Sequence, residues 1–145
     1  MVYLDTSALA KRYLNEAGSE AFEAYLIARG GGIVSTLTVA EMRCLLARRR
    51  REGSIDAGLE ARIVAAFEED VLTGVLVLRR VLDEVLDEDV WEAARLADRL
   101  REHALRTLDA LHLASAQAAG AEEVATADRV TAAAAGALGM NVERF

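Results

Sequence analysis

Short apolar runs alternate along the chain with stretches in which apolar residues recur every three or four positions. Val2-Tyr3-Leu4 opens the pattern as a β-prone run, closed by the polar turn Asp5-Thr6-Ser7 and followed by helical spacing from Ala8 to Leu14. Gly18-Ser19 starts a second helical stretch carrying Phe22, Tyr25 and Leu26, and Gly30-Gly31-Gly32 ends it. Ile33-Val34 reads as a second strand, with Ser35 or Thr38 capping a helix from about Val39 through Arg51. Beyond the break at Gly53-Ser54, Leu59, Ile63, Ala66 and Phe67 mark a helix from Asp56 to about Asp70. Val75-Leu76-Val77-Leu78 has the short, fully apolar form of a buried parallel strand. Asp87 to Ala104 is again helical, and Thr107 caps a helix through Ala119. Glu123-Val124-Ala125-Thr126 predicts a fourth strand, Arg129 to Leu138 a final helix, and Asn141-Val142 a short last strand.

Strands alternating with helices predict an α/β fold: a mainly parallel central sheet of four to five strands, flanked by helices on both faces. The 145 residues suit a single domain spanning 1–145. A hydrophobic content of 53% with 28% charged residues excludes disorder, and only 5% aromatics makes the core aliphatic. The single cysteine, Cys44, rules out an internal disulfide or a thiolate zinc cluster; beside Leu45-Leu46 it reads as a packed small hydrophobe. No apolar stretch reaches the roughly 18–20 residues of a membrane span. Asp5 stands where a signal peptide would carry basic residues, so the expected location is cytoplasmic, with no membrane partner.

The net charge of −7 argues at first against a polyanionic partner. Its distribution changes that picture. Residues 1–51 carry eight Lys/Arg against five acids, whereas residues 52–145 carry nine against nineteen. A basic first third is joined to a strongly acidic remainder.

Ligands of open parallel sheets bind beyond the carboxyl ends of the strands. Asp5 ends the first strand, and Asp128 follows the fourth by two residues. Glu41 and Asp109 fall near the starts of helices that begin at that same edge. Four carboxylates distant in sequence are thus expected in one crevice, where mutual repulsion calls for a compensating cation. Oxygen-only ligands favour Mg²⁺ or Mn²⁺ over zinc, and acids clustered around such ions suit phosphoryl chemistry. The denser runs Glu68-Glu69-Asp70, Asp83-Glu84 and Asp87-Glu88-Asp89 read instead as solvated helix faces or helix starts.

Four segments carry a resemblance: Leu4-Asp5-Thr6-Ser7-Ala8-Leu9, Leu37-Thr38-Val39-Ala40-Glu41, Arg106-Thr107-Leu108-Asp109-Ala110-Leu111-His112-Leu113-Ala114 and Thr126-Ala127-Asp128-Arg129. In this order they resemble the signature segments of PIN-domain ribonucleases, and more narrowly the VapC toxins of type II toxin–antitoxin systems. The resemblance implies a PIN-like fold and a Mg²⁺- or Mn²⁺-dependent endoribonuclease, usually homodimeric, that cuts RNA and is held inactive by a VapB-type antitoxin. It also implies that Asp5, Glu41, Asp109 and Asp128 form the metal-binding acidic set, with a hydroxyl from Thr6 or Ser7 near the metal or the scissile phosphate.

Lys11, Arg12 and Arg43 lie close in sequence to the expected crevice and are candidates for phosphate contact. Arg48-Arg49-Arg50-Arg51 closes the helix that carries Glu41, about 15 Å along its axis at 1.5 Å per residue, and is expected well away from the metal. His112, one turn after Asp109, reads as a satisfied structural histidine. Rival readings are a catalytically silent PIN scaffold that only binds a partner, and a Mg²⁺-dependent receiver or aspartyl-phosphate phosphatase domain. The last two require a lysine far along the chain, where this sequence has only Lys11.

Overall fold

The computed structural model describes residues 1–80 and 88–145. Asp83-Glu84, Asp87 and the expected start of the helix at Asp87 lie outside the described residues. In chain order the elements are β1 (Val2–Leu4), α1 (Thr6–Tyr13), α2 (Ser19–Arg29), β2 (Gly32–Ser35), α3 (Thr36–Arg51), α4 (Ala57–Leu72), β3 (Leu76–Arg79), α5 (Glu88–Arg99), α6 (Thr107–Ala118), β4 (Glu123–Thr126), α7 (Arg129–Ala137) and β5 (Asn141–Arg144).

The five strands form one parallel sheet in the order β3-β2-β1-β4-β5. Tyr3 sits level with Ile33 on one side and Val124 on the other. From the central β1 the chain first builds outward through β2 and β3, then returns to the far side for β4 and β5. That reversal places a topological switch point at the carboxyl end of β1, where open α/β sheets bind ligands.

Strand alternation divides the core between the two faces. Tyr3, Ile33 and Val124 point to one face and pack with Leu96 of α5 and Leu113 of α6. Val2, Leu4, Val34 and Ala125 point to the other and meet Leu9 of α1, Phe22 and Leu26 of α2, and Phe67 of α4. Met42 and Leu46 of α3 join Ala10, Leu14 and Ile63 in a smaller third cluster. Position within the sheet corrects the expectation for β3, whose run looked fully buried. As an edge strand it leaves Val77 and Leu78 48% and 39% exposed. Among the described residues no helix is long and apolar enough to cross a membrane.

Asp89 also departs from its expected solvated role. It is buried at the start of α5, where Arg79 of β3 donates to it and the Ser115 hydroxyl of α6 donates at 3.1 Å. A buried carboxylate is tolerable here because it is both paired and hydrogen-bonded.

Candidate active site

The backbone N–H of Asp5, the residue after β1, donates to the Ala125 carbonyl of β4 at 3.0 Å, which fixes the aspartate against the neighbouring strand. Its Oδ2 accepts the Thr126 hydroxyl at 2.8 Å and the Ser7 hydroxyl. Ser7 in turn accepts the Ala127 N–H at 2.9 Å, and Thr126 Oγ1 accepts the Asp128 N–H at 3.0 Å. This web of hydroxyls ties the carboxyl ends of β1 and β4 together. Asp128 then caps α7: its Oδ1 accepts the N–H groups of Val130 and Thr131 at 2.9 and 2.8 Å. Those bonds outweigh partial burial and hold the Asp128 carboxyl below the usual carboxylate range.

Glu41 approaches from α3, in the second turn rather than the first, since the helix starts at Thr36. Its Oε2 accepts the Thr6 hydroxyl and, at 2.6 Å, the Nε2–H of His112. Burial raises its pKa, but the bonds from His112 and Thr6 outweigh that and the net shift is downward. Asp109, three residues into α6, reaches back to the helix start, where its Oδ2 accepts the Arg106 N–H at 3.0 Å in the manner of a capping-box acid. The Arg106 side chain donates to the same oxygen through Nε at 3.1 Å, and its Nη2 stands 3.6 Å from Asp128 Oδ2.

Together Asp5, Thr6, Ser7, Glu41, Asp109 and Asp128 line one crevice of about 490 Å³, along with Arg106 and the α3 residues Leu37, Ala40, Cys44, Leu45 and Arg48. The cationic candidates fare differently. Lys11 is buried and donates to the Ala17 carbonyl at 2.6 Å. Arg12 pairs with Asp70 and Glu23 at 2.7 Å, and both side chains face a separate hollow between α1, α2 and α4. They sit one to two turns down α1 from the sheet edge. Arg43 is turned away because two residues past Glu41 is about 200° around a helix; it is exposed and pairs with Glu68 at 3.3 Å. The same geometry brings Cys44 and Arg48, at i+3 and i+7 from Glu41, onto the crevice face. Cys44 is exposed there rather than packed, and Arg48 lines the crevice despite its distance along the axis.

Sequence reasoning missed Arg106 and undervalued His112. His112 is 2% exposed and lies between Glu41 and Tyr3, whose hydroxyl is 2.7 Å from Nδ1, with Asp5 Oδ1 3.9 Å from Nε2. Burial lowers its pKa, but the Glu41 hydrogen bond and the Asp5 charge outweigh it and the net shift is upward. The signal for both was present at i−3 and i+3 from Asp109, one turn either way on the same helix face.

Among the described residues no three acidic, imidazole or thiol side chains stand close enough, as arranged, to grip a metal ion between them. The chemistry of the crevice nonetheless suits a hard cation. Its donors are carboxylate and hydroxyl oxygens, and the bonds from hydroxyls and backbone fall on a single oxygen each of Asp5 and Asp128. Mg²⁺ keeps several waters and needs only one or two protein carboxylates, so an open set fits it better than a closed cage would.

The model of the PIN domain matches residues 2–137. The chain belongs to the PIN-domain family. It is 37% identical over 144 residues to Ribonuclease VapC46 of Mycobacterium tuberculosis, covering 97% of this chain and 95% of that protein, which groups this PIN domain with the VapC proteins. Solved structures share its fold. VapC20 of M. tuberculosis, described as a sarcin-ricin loop cleaving toxin, superposes with a TM-score of 0.70 at 20% identity over 92% of this chain and 95% of that one. FitAcB of Neisseria gonorrhoeae gives 0.67 at 20% identity over 98% and 96%. VapBC2 of Rickettsia felis, solved with a promoter DNA fragment, gives 0.64 at 14% identity over 100% and 99%.

Proposed function

We propose that this PIN domain, residues 1–145 acting as one unit, is a Mg²⁺- or Mn²⁺-dependent endoribonuclease toxin of the cytoplasm, dimeric, and neutralised by a VapB-type antitoxin. The observation that carries the reading is the convergence of Asp5, Glu41, Asp109 and Asp128 on one crevice at the switch point of the sheet. Its likeness to a VapC ribonuclease over nearly the whole chain supports the same substrate class.

Asp5, Glu41, Asp109 and Asp128 would hold the ion. When bound, it supplies a water of lowered pKa and neutralises charge on the phosphate and the leaving oxygen. The protein's own part is positioning. Thr6 and His112 orient Glu41, the Ser7 and Thr126 hydroxyls fix Asp5, and the α7 cap fixes Asp128. For Glu41 and Asp128 these bonds outweigh burial and favour the ionised form that a cation requires. Attack of water on the phosphorus with departure of the 3′ oxygen would break the P–O3′ bond and leave a 5′-phosphate and a 3′-hydroxyl. The receiver-type alternative lacks its lysine, because Lys11 is engaged with the Ala17 carbonyl outside the crevice.

Asp5→Asn and Asp109→Asn test the assignment. Each should slow cleavage of RNA in Mn²⁺ by at least about 100-fold, the order expected when a group that stabilises the transition state is lost, with thermal melts near the parent's. Cutting at the parental rate by both variants would reject the reading.

A further inference from the structure

The four acids of the crevice face a cation supplied by the chain itself. Arg106 precedes α6 and its side chain is 74% exposed, so no packing fixes it. What holds it is charge. Nε donates to Asp109 Oδ2 at 3.1 Å, Nη2 stands 3.4 Å from Asp109 Oδ1, and Nη2 is 3.6 Å from Asp128 Oδ2. Asp109 comes from α6 and Asp128 from the β4–α7 junction, so one guanidinium spans acids of two elements. Arg48, the other basic residue lining the crevice, approaches from α3.

We propose that Arg106 is a built-in counter-ion of the acidic crevice: it braces Asp109 against Asp128 and must release both when a divalent cation takes them. Two cations drawing on the same carboxylates compete, so Arg106 weakens metal binding and sets the concentration at which the site loads. A fork of planar donors matches a carboxylate better than a point charge does, and an exposed arginine is released at small cost. The role rests on the metal-dependent reading above and deepens it.

Mn²⁺ binding to the intact protein, followed by the loss of the free-ion electron paramagnetic resonance signal, separates the possibilities. Arg106→Gln should tighten Mn²⁺ by about two- to five-fold, the range that an exposed ion pair commands. Arg48→Gln should leave it unchanged. Equal or weaker binding in Arg106→Gln would overturn the proposal, as would an equal gain in Arg48→Gln, which would indicate diffuse repulsion rather than competition for the same oxygens. A second readout follows the guanidinium of the parent protein directly. The Nε–H resonance of Arg106 in the parent, assigned by its loss in Arg106→Gln, should shift on saturation with Mg²⁺; a resonance unmoved at saturation would contradict release. Absence of saturable binding in every form would reject the metal-dependent reading itself, and the counter-ion role with it.

Discussion

Arg106, Asp109 and His112 lie at three-residue spacing at the head of α6, so one helix edge delivers a cation, a carboxylate and an imidazole to the same place. His112 links three elements: Tyr3 of β1, Glu41 of α3 and its own α6. With Nε2 protonated it donates to Glu41, and in the neutral ring Nδ1 accepts the Tyr3 hydroxyl. His112→Ala removes the imidazole from a buried hydroxyl and from a half-buried carboxylate that keeps only its bond from Thr6. The expected loss is about 2 kcal/mol, a fall in Tm of roughly 4–8 °C. Calorimetry checks this, and a melt within a degree of the parent's would show that the imidazole bears no load. At this scale the acids were legible in the sequence because each is tied to a strand end or a helix start. Arg106 and His112 were marked only by their three-residue spacing from Asp109, since their roles depend on which way α6 faces once it packs on the sheet. Arg43 was misplaced because nearness in sequence ignores helical phase, and Lys11 and Arg12 because it ignores the rise of α1 away from the sheet edge.

The elements themselves were largely legible. Short apolar runs ending in polar turns gave the strands, and Gly30-Gly31-Gly32 gave the sharp entry into β2. The exposure of β3 was hidden, because an edge strand and a central one have the same composition and differ only in neighbours. Gly31 is the position where the backbone leaves no alternative. It has φ +114°, and a Cβ there would lie 2.3 Å from the Val75 carbonyl oxygen. Gly31→Ala should cost at least about 2 kcal/mol through strain and displacement of the strand start. A loss of urea-unfolding free energy smaller than that would contradict the close approach.

The helices α1 and α4 are joined by Asp70, which accepts from Arg12 Nε at 2.7 Å and from the Tyr13 hydroxyl at 2.6 Å. Burial raises the Asp70 pKa, but these bonds outweigh it and place it below its ordinary value of 3.8. A carboxyl depressed on folding stabilises the fold fully above its unfolded pKa, and that contribution fades as pH falls through the lower folded value. Asp70→Asn removes the titration. The gap in Tm between parent and Asp70→Asn should therefore be widest near pH 6 and narrow toward pH 3. A gap constant across that window would mean that the pair adds nothing that titrates.

On the scale of the whole molecule, the net charge of −7 no longer speaks against RNA. Its acids serve different ends: one group lines the crevice, while others such as Asp70 and Glu23 neutralise arginines within the fold. The central claim is that the crevice works on RNA through a divalent cation. The direct measurement is cleavage of a defined RNA by the purified protein, first with EDTA and then with Mn²⁺ restored, with the chemistry of the new ends determined. The account predicts no cutting in EDTA, recovery with Mn²⁺, and fragments bearing 5′-phosphate and 3′-hydroxyl ends. Cleavage that persists in EDTA and leaves 2′,3′-cyclic phosphates would contradict it.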